Sequence, residues 1–68
     1  MPKSYCNRIG LNIKKYRQRK SWTQEKLAEE ASLHVSYIGQ IERGLRLPSL
    51  NALLKISEAL KIDVRKLF

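Results

Sequence analysis

Apolar residues recur along this chain chiefly at helical spacing. Ile9, Ile13 and Tyr16 share one face of a first helix predicted from about Tyr5 to Arg19, with Ser4 as its candidate N-cap. Arg17 stands one turn beyond Ile13 on that same face, and a charge aimed at a core needs a partner. Thr23 is a good N-cap for a second helix, whose inward stripe is Leu27, Ala28 and Ala31 and whose first turn holds Glu25. A third helix is predicted over Val35 to Arg43 with Ile38 and Ile41 inward, and Gly44 stops it. Ser32-Leu33-His34 leaves room only for a tight turn between helices 2 and 3. Ser49 caps a fourth helix over about Leu50 to Leu60, with Leu50, Leu53, Leu54, Ser57 and Leu60 at helical spacing and Ile56 widening the stripe. Asp63 caps a short fifth helix, Val64 to Leu67. The pattern predicts a single all-α domain over residues 1–68, with five helices and short loops.

Within this pattern, residues 24–43 carry the most specific signal. Leu27, Ala31, Leu33, Ile38 and Ile41 fall where two short helices crossing steeply over a tight turn must be apolar. Ala28 falls where the crossing leaves room only for a small side chain. The outward side of helix 3 then presents Val35, Ser36, Gly39, Gln40 and Arg43.

Charge sharpens the picture. The 68 residues carry a net charge of +8, which favours a polyanionic partner. Residues 1–20 hold seven basic groups and no acid, and a solvated helix face is the plain alternative for such a run. One cysteine, Cys6, and one histidine, His34, make neither a disulfide nor a metal set, so no metal or cofactor is expected. No acid–base or nucleophilic set suggests an enzyme. Apolar runs are too short to span a membrane, the N-terminus lacks a secretory apolar core, and a lone thiol suits a reducing cytoplasm. Trp22 and Cys6 read as structural.

The chain resembles the lambda-repressor-like (XRE/Cro-type) helix-turn-helix domains along most of its length. The resemblance rests on Ile9-Gly10 and Arg17, then Trp22-Thr23-Gln24-Glu25-Lys26-Leu27-Ala28. It continues through Tyr37-Ile38, Ile41-Glu42-Arg43-Gly44, Pro48-Ser49-Leu50 and Ala59-Leu60. It departs from the family where Ser21 and Ser32 replace the usual glycines and where His34 replaces a stronger N-cap. The resemblance implies a sequence-specific double-stranded DNA-binding transcriptional regulator, a repressor or autoregulator, that inserts helix 3 into the major groove of a palindromic operator as a homodimer. Restriction–modification controller proteins share the pattern; a phage repressor, or an antitoxin or bridging protein with a protein partner, are alternatives. An RNA-binding module is disfavoured by its scarce free aromatics.

The resemblance places base readers at Val35, Ser36, Tyr37 and Gln40, and their chemistry agrees: Gln40 can pair bidentately with adenine and Val35 can pack on a thymine methyl. Thr23, Gln24, Arg43, Arg46, Ser49 and Asn51 are the candidate phosphate contacts, several at helix N-termini where free N–H groups favour an anion. The resemblance also pairs Arg17 with Glu42 in the interior. Leu45, Leu47, Val64 and Phe68 are the candidate dimer surface, Ile62 and Leu67 serving to close the core. No small-molecule ligand or membrane partner is indicated, and a cytoplasmic, prokaryotic or phage-encoded, nucleoid-associated setting is expected.

Overall fold

A computed structural model describes residues 2–68, with side chains from Tyr5 onward. Four α-helices form: α1 (Pro2–Arg19), α2 (Gln24–Ala31), α3 (Val35–Glu42) and α4 (Leu50–Leu60). The all-α class holds, but the five-helix expectation does not. Val64–Leu67 is a single 3-10 turn, closed by Lys66 N–H to Asp63 C=O at 2.9 Å and Phe68 N–H to Arg65 C=O at 3.2 Å. Four residues cannot propagate the i to i−4 ladder of an α-helix, so the tighter turn prevails. Helix α1 begins at Pro2, ahead of the expected Ser4 cap, because proline suits a first helical position. The Ser4 side chain lies outside the described residues.

Ile9, Ile13, Leu27, Ile38, Ile41, Ile56, Leu60 and Leu67 fill the core. Each contributes about 1.5–3 kcal/mol on burial. Gly10 lets α1 cross the end of α3 backbone to backbone. A Cβ there would collide with the Ile41 carbonyl oxygen and sit 3.1 Å from that of Glu42. Asn12 ties the last turn back to α1, its amide donating to Leu67 C=O at 3.0 Å.

The apolar pattern of α4 is divided differently from expectation. Leu53, Ile56 and Leu60 are buried together with Ala52, while Leu50 and Leu54 are 67% and 43% exposed. Leu50 and Leu54 lie one turn apart on the flank of the helix. Burial of the small Ala52 on the opposite flank rotates them outward.

All four helices end with a left-handed residue, and only one of these is glycine. Ser21, Ser32 and Lys61 take φ of 59°, 56° and 58°, while Gly44 takes 74°. The motif recurs because a left-handed residue returns two N–H groups to open carbonyls, as when Ser32 and Leu33 donate to Glu29 and Ala28 C=O at 3.2 and 2.9 Å. Ser32 is exposed, and a left-handed serine bears strain that glycine does not. Ser32→Gly is therefore expected to stabilise by about 0.5–1 kcal/mol, relieved strain outweighing the freedom glycine adds to the unfolded chain. Thermal melting checks this, and a fall in melting temperature would show that the serine geometry bears no strain.

Candidate nucleic-acid interface

Helix α3 is held from beneath by Ile38 and Ile41, both fully buried, so its other side faces outward. Val35 and Ser36 are exposed at its first turn, Gln40 is half-buried one turn on, and Arg43 is exposed at its C-terminal cap. Gly39 is not on this ridge: it is buried, and a Cβ there would lie 3.6 Å from Gln24 Oε1 and 3.8 Å from the Arg43 guanidinium. Those side chains cover it. His34 precedes the helix with no side-chain capping bond.

The end of α3 is fixed to α1 and α2 through one carboxylate. Arg17 Nε donates to Glu42 Oε2 at 2.7 Å, and its Nη2 donates to Oε1 at 2.9 Å. Gln24 Nε2, from the start of α2, donates to the same Oε1 at 3.0 Å. Arg17 Nη1 turns to the Trp22 carbonyl at 2.7 Å. The two side chains retain 11% and 2% of their exposure. The Glu42 hydrogen bond, more than any other influence, holds Arg17 above the ordinary arginine pKa. A buried, bidentate pair of this kind fixes orientation as well as neutralising charge.

The N-termini of α2 and α4 flank the ridge. Thr23 and Ser49 each cap their helix, accepting from Lys26 N–H at 3.0 Å and Ala52 N–H at 3.1 Å. Both caps are exposed, as is Asn51, while Gln24 is half-buried by its bond to Glu42. Tyr37 stands between α3 and α4. Its ring is partly buried against the core, its hydroxyl accepts Ser49 N–H at 3.2 Å, and the Arg46 guanidinium lies 5.0 Å above its centroid.

Of the candidate dimer residues, Leu45, Leu47 and Phe68 are exposed, while Val64 packs against the core. Leu50 and Leu54 are also exposed. Helical spacing alone assigns both to the core, and the contrary signal is Ala52 opposite them. Trp22 packs on the core with Lys20 and Lys26 ammonium groups 5.2 and 5.9 Å from its ring, and Cys6 is half-buried. Among the described residues, no cluster of acids, cysteines and histidines could hold a metal ion.

Residues 13–67 match the helix-turn-helix family HTH_3. The transcriptional regulator SinR of Bacillus subtilis is 42% identical over 60 residues, covering 87% of this chain and 54% of its own length. A second relative, the control protein C.BamHI of Bacillus amyloliquefaciens, is 46% identical over 60 residues, covering 87% of this chain and 74% of that protein. The crystal structure of the restriction–modification controller C.AhdI from Aeromonas hydrophila superposes with a TM-score of 0.90 at 40% identity, covering 93% of this chain and 96% of that one. A structure of SinR in complex with DNA superposes with a TM-score of 0.84 at 42% identity, covering 87% of this chain and 95% of that one. The chain spans only about half the length of the first curated relatives it matches, 40% of SlrR and 54% of SinR. Sequence, fold and the Arg17–Glu42 support beneath α3 agree: the chain belongs to the lambda-repressor-like, XRE/Cro-type helix-turn-helix family.

Proposed function

We propose that this protein is a sequence-specific transcriptional regulator that binds duplex DNA as a homodimer, with α3 in the major groove. The observation that carries this reading is the ridge of Val35, Ser36 and Gln40. It is directed outward by buried Ile38 and Ile41 and flanked by two capped helix N-termini. SinR, whose domain has the same fold, has been solved on DNA. Val35, Ser36 and Gln40 read base edges, with Tyr37 at the margin of the ridge. Thr23, Gln24, Arg43, Arg46, Ser49 and Asn51 hold phosphates. Among regulatory roles, that of a restriction–modification controller is favoured, because C.BamHI is 46% identical to this chain and C.AhdI superposes on it with a TM-score of 0.90 at 40% identity. Such a regulator works in the cytoplasm on the nucleoid; no described helix is long and apolar enough to cross a membrane.

Selection from a random duplex pool is expected to return a palindrome with half-sites roughly 34 Å apart, one DNA turn. Affinity for it should fall steeply with salt, with a log–log slope of about −0.9 per phosphate contacted. A pool that shows no enrichment would overturn the reading.

The dimer forms through Leu47, Leu50 and Leu54, with Leu45 and Phe68 at its margin. A Leu50→Glu, Leu54→Glu variant places charge where two copies would meet and leaves the core intact. It is expected to sediment as a monomer and to melt as a lone wild-type domain does. Sedimentation identical to that of wild type would exclude this surface.

A further inference from the structure

Helix α3 and the start of α4 are joined across their loop by one polar bond between a side chain and the backbone. The Tyr37 hydroxyl accepts Ser49 N–H at 3.2 Å, and the ring carries the Arg46 guanidinium at 5.0 Å. Leu45, Arg46 and Leu47 of the intervening loop are exposed, and Pro48 alone of residues 45–48 is buried. The shared core sets the angle between the two helices, and the loop's own packing adds little at the start of α4. The hydrogen bonds at the start of α4 are also divided: Ser49 N–H goes to Tyr37, and Ser49 Oγ takes Ala52 N–H. Leu50 and Asn51 N–H, the first two of the helix, have no intrahelical acceptor and stay open to a phosphate. A hydroxyl that accepts a bond through its oxygen keeps its own proton to donate.

Building on the DNA-binding reading, we propose that Tyr37 is a positioning residue for operator recognition. Its bond to Ser49 fixes the start of α4 relative to α3, so that a phosphate at Leu50 and Asn51 and the base edges at Ser36 and Gln40 are engaged in one register. A phosphate contact carries no sequence information itself, but it sets where the reading side chains fall. The clasp makes the two kinds of contact interdependent. Arg46, resting on the Tyr37 ring, is carried to the same strand by the same group.

Tyr37→Phe tests this directly, because it keeps the ring, its packing and the surface beneath Arg46 while removing the oxygen. The melting temperature should fall by no more than a few degrees, the loss of one partly exposed hydrogen bond. The ratio of affinities for the selected operator over random duplex should fall about tenfold, equivalent to weakening one bidentate base contact. Preference should weaken together at every position read by Ser36 and Gln40. An unchanged ratio overturns the proposal, and so does a loss confined to a single base position, which would make Tyr37 a direct reader.

A second pair of variants approaches from the other side. Ser49 has φ −66°, which proline can adopt. Ser49→Ala and Ser49→Pro both lose the capping hydroxyl, but only the proline variant lacks the N–H. Ser49→Pro should bind its operator about tenfold less selectively than Ser49→Ala, and adding Tyr37→Phe should cost nothing more, since the two changes break the same bond. Equal selectivity in the two Ser49 variants overturns the clasp. Failure of the wild-type chain to prefer any duplex would instead overturn the DNA-binding reading itself.

Discussion

Arg17→Ala is expected to bring the domain close to unfolding at physiological temperature. The substitution leaves the Glu42 carboxylate, whose side chain is 2% exposed, with only the Gln24 amide for company. Breaking one side of a buried pair costs on the order of 3–5 kcal/mol, because the remaining charge is neither solvated nor compensated. A domain of this size has roughly 3–10 kcal/mol in all. The expected fall in melting temperature is at least roughly 12 °C, taking 4–8 °C per kcal/mol for a small domain. Replacing both partners, as in Arg17→Met with Glu42→Leu, should recover much of the loss, since apolar groups of similar volume carry no desolvation penalty. The single variant melting within a degree or two of wild type would show that the pair is not a determinant of the fold.

Ser36→Ala with Gln40→Ala is expected to do the opposite: it should abolish choice of sequence and leave the fold alone. Neither side chain has a hydrogen-bond partner within the described chain, and neither belongs to the core. A bidentate glutamine contact is worth about 1–3 kcal/mol of discrimination, and a dimer uses it twice. Preference for the selected operator over random duplex should therefore fall by about 100-fold or more, while melting stays within a degree or two. Binding to random duplex should hardly change, because phosphates supply it. A folded double variant that kept its full preference would mean that some other surface reads the operator.

Much of this architecture is legible from spacing alone, because the strongest physical demands fall on single positions. Ile9 and Ile13, Leu27 with Ala28, and Ile38 with Ile41 each occupy the one face that can be buried. Ser49 and Asp63 cap the turns after them, both accepting a backbone N–H two or three residues on. Arg17 marks itself as a charge on an apolar face, although its partner lies 25 residues away and only the family resemblance pointed to Glu42.

The features that spacing does not deliver depend on contacts between elements. A helix with more leucines than one face can hold, such as α4, does not itself say which are spare; the packing of Ala52 against the interior decides that Leu50 and Leu54 turn outward. Gly39 looks free on a helical wheel, but Gln24 and Arg43 come from other turns to cover it. The Tyr37–Ser49 bond joins side chain to backbone across a loop and leaves no periodic trace. The last turn reads as a fifth helix because its cap is good, and the cap says nothing about length.

The Glu42 anchorage has a consequence for how such a protein changes over generations. The carboxylate that bolts the reading helix in place lies at its final residue, whereas Val35, Ser36 and Gln40 project from the other side with no share in the joint. New lettering can therefore be cut into the key without weakening its shaft. On the proposed reading, single changes at these three positions would carry such a chain from one DNA address to another with the fold kept.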